Sequence, residues 1–131
     1  MEKANIMVCV TQQKTCDRLI QYGNNILGDN NGELFIIHVA HYKFNFLGHT
    51  KEGDALEYLY EKALEYDANL TVVRSNDVAE TLANQVKKNK ITHIIVGESG
   101  ETDMNSNIVN LLGKKLGNIA ELLVIPAVKL V

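Results

Sequence analysis

The chain has 131 residues, 46% hydrophobic and 22% charged, with nine Gly, one Pro and no Trp. That size and mixture fit one globular domain spanning 1–131 and exclude a disordered or fibrous chain. Thirteen Lys and Arg against sixteen Asp and Glu leave a net charge of −3, which argues against general affinity for nucleic acid or an anionic membrane surface.

Residues 6–10 form a short, nearly continuous apolar run, the pattern of a strand buried on both faces. Cys16, Leu19, Ile20, Ile26 and Leu27 then recur at helical spacing, and the turn signal of residues 28–32 stops this helix. Residues 34–40 (LFIIHVA) predict a second buried strand, and residues 41–51 mix aromatic, polar and glycine residues without a period, as a loop does. From residue 52 to 67, Leu56, Leu59, Tyr60, Ala63 and Leu64 mark the expected buried face of a second helix. A short strand follows at 70–73. Asp77, with Glu80 three residues on, resembles a capping box and opens a helix through Val78, Leu82, Ala83 and Val86. Residues 91–96 predict a fourth strand, 106–116 a fourth helix and 122–125 a fifth strand. The β-α alternation implies a doubly wound α/β domain with a mostly parallel sheet and helices on both faces.

Such sheets bind ligands beyond the carboxyl ends of their strands, where the strand order reverses. Two loops are therefore candidates, residues 11–15 after strand one and 97–105 after strand four. Gly97 and Gly100 permit backbone torsions that turn amides inward, and a helix starting at Ser106 would favour an anion. A flexible strand-to-helix turn is the plainer explanation of a lone GxxG.

Asn5-Ile6-Met7-Val8-Cys9-Val10, Asp17-Arg18-Leu19-Ile20, Asp77-Val78-Ala79-Glu80-Thr81-Leu82 and Ile91-Thr92-His93-Ile94-Ile95-Val96-Gly97 together resemble the universal stress protein superfamily. Within it the chain is most similar to the stress-protein domain of potassium-sensing histidine kinases of the KdpD type. The resemblance implies a five-stranded parallel sheet of order 3-2-1-4-5, an adenine-nucleotide site between strands one and four, and a homodimer paired through the last strand. Nucleotide-binding members carry an Asp after strand one, and Gly-x-x-Gly, nine residues, then Gly and Ser or Thr. Here Thr11 stands at the Asp position, and Asn110-Leu111 lies where the second pair is due. In a shortened loop Ser106-Asn107 takes that place. The ligand-binding residues implied are Thr11, Gln12, Gly97, Ser99, Gly100, Ser106 and Asn107, with ATP or another adenine nucleotide as the ligand. The SxS and FTAxY motifs with which some such kinases bind cyclic di-AMP align with Thr11-Gln12-Gln13 and with residues 34–38, and neither matches beyond the Thr11 hydroxyl.

Charge bears on the same loop. Between Ile91 and Gly113 there is no Lys or Arg, while Glu98, Glu101 and Asp103 crowd it. Like charges about 4 Å apart cost about 1 kcal/mol in water and about 4 at an effective dielectric of 20, so a triphosphate is disfavoured there. Lys14 and Lys114 are the nearest expected counter-charges.

The remaining polar residues suggest no catalytic centre. His38, His41, His49 and His93 have no zinc-like spacing, so no metal site is expected. Cys9 reads as core; Cys16, in a first helical turn, lacks a resolving partner. Lys87-Lys88-Asn89-Lys90 fits a solvated helix C-terminus. Tyr42, Phe44 and Phe46 would fold onto the sheet end or serve as a ligand lid. The final LLVIPAVKLV is an apolar edge in which Pro126 limits pairing.

With two cysteines, no CxxC and no signal-peptide pattern, the expected compartment is the cytoplasm. No apolar run reaches the roughly 20 residues of a membrane span. The expectation is a non-catalytic regulatory domain in potassium or osmotic stress signalling, working through a sensor kinase, another protein partner or a small ligand. The alternative is an ATP-binding stress protein with slow hydrolysis.

Overall fold

A computed structural model describes residues 4–10, 13–28, 32–40, 51–97 and 103–125, with side chains described from Asp17 onward in the first helix and from Asn110 onward in the fourth. The elements alternate as β1 (Ile6–Cys9), α1 (Gln13–Leu27), β2 (Leu34–Ala40), α2 (Glu52–Glu65), β3 (Asn69–Arg74), α3 (Val78–Lys88), β4 (His93–Gly97), α4 (Asp103–Leu116) and β5 (Glu121–Ile125). All strand pairs are parallel, and the sheet order is β3-β2-β1-β4-β5, as the resemblance implied.

Alternation along the central strands divides the core into two layers. Ile6 and Val8 of β1 pack with Leu34 and Ile36 of β2, Leu19 and Ile20 of α1, and Ala55, Leu59 and Ala63 of α2. Met7 and Cys9 point the other way, to Leu82, Ala83 and Val86 of α3 and Leu112 and Leu116 of α4. β1, buried along its whole length, is thus covered by helices from both sides. Gly23 lets α1 lie directly on the sheet, because a Cβ there would stand 2.6 Å from Val8 Cγ2 and 3.2 Å from Ile95 Cδ1.

At the amino end of the sheet Asn5 acts as a clasp. Its amide donates to Thr92 Oγ1 at 3.0 Å, its Oδ1 accepts from Glu33 N at 3.2 Å, and its Nδ2 donates to the carbonyls of Asn89 and Lys90. Thr92 N returns a bond to Asn5 O at 2.8 Å. β4 therefore begins at His93 rather than at the expected residue 91. Ile91 N is still engaged in closing α3, donating to Val86 O at 3.0 Å.

Two helices depart from expectation. On α2 the buried residues are Ala55, Leu59 and Ala63, whereas Leu56, Tyr60 and Leu64 are exposed. Leu59 is the one large side chain buried toward the sheet, with Ala55 and Ala63 one turn to either side. α4 begins at Asp103, three residues ahead of the expected Ser106. The cap of α3 is half of the expected box: Asp77 Oδ1 accepts from Glu80 N at 3.0 Å, while Asp77 N donates to Ser75 Oγ and the Glu80 carboxylate accepts from Lys115 of α4.

Candidate functional site

The strand order reverses between β1 and β4, where the register sets Cys9 beside Val96. The chain leaves β1 at Val10 and β4 at Gly97, so both exits open on the same crevice at the carboxyl edge. Val10 is buried and still donates to Ile37 O at 3.0 Å. Its own carbonyl, however, accepts from the ring of His38, whose Nδ1 lies 2.6 Å away. The ring thus carries the proton on Nδ1. Among the described residues no main-chain amide donates to that carbonyl. The side chain takes the place of the next rung of the β1–β2 ladder.

His38 is 4% exposed. Burial lowers its pKa below the ordinary 6.5, and the nearby Arg74 guanidinium lowers it further, against the opposing effect of the Val10 bond. A neutral imidazole therefore sits beside the site. The sequence shows a polar residue in an apolar strand, but its partner is a main-chain oxygen, which no side-chain pattern can announce.

Gly97 ends β4 next to Ile125 of β5. A Cβ on Gly97 would approach Leu19 Cδ1 to 3.2 Å, so this glycine gives α1 room beneath the crevice. Thr11, Gln12, Ser99 and Gly100 lie outside the described residues. Gln13, Lys14 and Thr15, expected in the first loop, belong instead to the first turn of α1. Ser106 and Asn107 fall inside α4, so the free amides at the mouth of that helix shift toward Asp103. An acidic residue thus stands at the helix N-terminus, where the dipole favours an anion and a phosphate would compete with it.

The expected counter-charges are not equivalent. Lys114 is exposed in the last turn of α4, about 16 Å along the axis from Asp103 at 1.5 Å per residue, and does not face the crevice. Lys14 lies in the first turn of α1, at the end that follows β1. Arg74 ends β3 two strands away and pairs with Glu52.

His93 lies at the foot of β4, its Nε2 3.4 Å from Glu121 and its Nδ1 2.8 Å from Thr92 Oγ1. Cys9 is buried and its thiol is pushed up to about 12 by desolvation, so it is no nucleophile. His41, His49, Tyr42, Phe44, Phe46 and Pro126 lie outside the described residues, as does the side chain of Cys16. Among the described residues no three potential metal ligands come together, and no helix is long and apolar enough to cross a membrane.

Comparison with known proteins adds an independent line. Residues 4–124 match the family model described as the universal stress protein family. No curated protein matches the chain. Among solved structures, a universal stress protein in complex with cAMP is 14% identical, with a TM-score of 0.68 over 93% of this chain and 96% of that one. A universal stress protein family protein from Arabidopsis thaliana with AMP bound is 14% identical, with a TM-score of 0.60 over 95% and 92%. A family protein from Burkholderia pseudomallei is 15% identical, with a TM-score of 0.59 over 95% and 96%. At these identities the likeness is one of fold.

Proposed function

The chain belongs to the universal stress protein family, and on that premise we propose that it is a non-catalytic regulatory domain whose β1–β4 crevice takes an adenine nucleotide of low charge. The observation that carries this reading is the reversal of strand order between β1 and β4 together with the acidic sequence that follows β4. In sequence, Glu98, Glu101 and Asp103 lie within and just after the Gly97–Gly100 spacing, with no Lys or Arg from Ile91 to Gly113; Glu98, Glu101 and the Asp103 side chain lie outside the described residues. A monophosphate or cyclic monophosphate, as in the cAMP and AMP complexes of similar fold, meets less repulsion there than ATP does. Gly97, Ser99, Gly100, Ser106 and Asn107 would hold the phosphate, and Thr11 and Gln12 would contact the ribose or base.

Calorimetric titration with AMP, cAMP and ATP, with and without Mg²⁺, tests this reading. AMP or cAMP should bind at least tenfold more tightly than ATP, and Gly100→Val should abolish the binding. ATP binding that is tighter than AMP and followed by turnover would establish the alternative, an ATP-binding protein with slow hydrolysis, which the half-present glycine motif favours. No binding of any nucleotide at millimolar concentration would leave regulation through a protein partner.

The finer placement, in KdpD-type control by potassium or osmotic stress in the cytoplasm, rests on the sequence resemblance. A deletion strain whose growth is unchanged on shifting external potassium or osmolarity would remove it. The homodimer belongs to the same proposal. β5 is an edge strand with Val124 exposed, suited to pairing with a twofold mate, and sedimentation as a monomer at high micromolar concentration would contradict it.

A further inference from the structure

Helix α2 carries three adjacent stripes, each repeating every four residues. Ala55, Leu59 and Ala63 are buried against the sheet. One residue further round, Leu56, Tyr60 and Leu64 are 37%, 59% and 63% exposed. The next stripe is Glu57, Glu61 and Glu65, all exposed, and Asp54 is exposed beside it. Four-residue spacing places the members of each stripe one above another. An amphipathic helix would ordinarily bury its large apolar side chains and leave alanine outside; α2 buries Leu59 but sets Ala55 and Ala63 inside while Leu56, Tyr60 and Leu64 stay out.

The opposite flank of α2 is already occupied. Lys62 bonds Asp17 of α1 at 3.1 Å and Glu65 at 3.1 Å, and Tyr66 donates to Asp17 at 3.3 Å. α1 therefore lies on the Tyr58–Lys62 side. The apolar stripe faces away from α1, toward the β3 edge of the sheet. The proposed dimer strand β5 is at the other edge, so that dimer would leave this surface uncovered.

We propose that Leu56, Tyr60 and Leu64, bordered by Glu57 and Glu61, form a docking surface for a cationic amphipathic helix of another protein. The charge pattern selects this occupant. Lys62 is the only base in α2, and it is held by Asp17 and Glu65. Among the described residues Glu57 and Glu61 form no ion pair. A second copy would set these acids against their equivalents, and like charges brought together in an interface oppose association. A helix with leucines at three- and four-residue intervals and flanking lysines would cover the apolar stripe while its cations meet the acids. This inference goes beyond the nucleotide reading and does not depend on it.

The test uses the full chain and a labelled helical peptide of about five turns with leucine on one face and lysine at its borders, beside a peptide of the same pattern with glutamate for lysine. Fluorescence anisotropy should show saturable one-to-one binding of the lysine peptide and at least tenfold weaker binding of the glutamate peptide. Tyr60→Ser with Leu64→Ser, and separately Glu57→Lys with Glu61→Lys, should each weaken it at least tenfold. Leu111→Ser with Glu121→Lys, on other elements, should leave it unchanged. Circular dichroism keeps loss of fold distinct from loss of docking. Absence of binding, equal binding of the two peptides, or equal weakening by the Leu111 and Glu121 control would overturn the proposal. So would a concentration-dependent dimer abolished by the Tyr60 and Leu64 substitutions, which would make a second copy the occupant. Nucleotide titration of the same variants reads the crevice separately.

Discussion

The ring of His38 and the carbonyl of Val10, 28 residues apart in sequence, meet at 2.6 Å where the β1–β2 ladder stops. Replacing the ring with leucine keeps the bulk and orphans a buried acceptor, a loss of about 1–3 kcal/mol. Urea denaturation of His38→Leu should report that loss, and on the proposed reading of the crevice AMP affinity should fall with it because the exit of β1 is no longer fixed. Full stability in the leucine variant would show that the bond contributes nothing.

The same residue predicts a pH dependence. Burial holds the folded pKa of His38 below its ordinary 6.5, so the unfolded chain binds the proton more readily than the folded one. The stability from the neutral ring is present above about pH 6.5 and is lost as pH falls through the folded pKa. Between about pH 7.5 and 5.5 the urea midpoint of the unmodified chain should drop more than that of His38→Gln. Parallel profiles would refute the assignment.

Cys9 should be chemically silent in the folded state, since burial pushes its thiol up to about 12 and leaves almost no thiolate at pH 8. In a Cys16→Ser background, alkylation should proceed only at the rate of unfolding. Rapid modification without denaturant would contradict the burial of β1.

Gly23→Ala sets two effects against each other. Alanine gains about 0.5–1 kcal/mol over glycine in a helix, but its Cβ would meet Val8 Cγ2 at 2.6 Å. Val8 belongs to the fully buried central strand and has little room to turn. Overpacking of this kind costs about 1–3 kcal/mol, so the variant should be less stable in thermal and urea melts.

Asp77→Ala should destabilise by about 1 kcal/mol through loss of the Glu80 N–H acceptor. Asp77→Asn should recover most of it. An unchanged melting temperature in the alanine variant would show that Ser75, whose Oγ bonds Asp77 N and O, holds the turn alone.

Runs such as Ile6–Cys9 and Leu34–Ala40 are legible as strands because burial on both faces leaves no polar alternation to misread. The cap at Asp77 is legible because it is local. For α2 the helix and its buried Leu59 and Ala63 are legible, but the limit of the buried face is not, because hydrophobicity ranks Leu56, Tyr60 and Leu64 above Ala55, and only the packing on the sheet puts Ala55 inside and them outside. The crevice divides in the same way. Gly97 can be named from spacing, but its contact with Leu19 and the His38–Val10 bond join residues far apart in the chain. The start of α4 at Asp103 moves the expected anion position at Ser106 into the helix, a shift of one turn that composition alone does not resolve.

The clasp at Asn5 has a consequence for the birth of the molecule. Asn5 and its partner Thr92 are 87 residues apart, an interval that takes roughly 4–17 s to translate at ~5–20 residues per second. Throughout that time β1, the most deeply buried strand of the finished sheet, has emerged with only β2 available to cover one of its edges. The other edge must wait for β4. A nascent chain stalled before residue 93 would therefore present Ile6–Cys9 as an open template for aggregation, and dependence on ribosome-associated chaperones should end abruptly once β4 clears the exit tunnel.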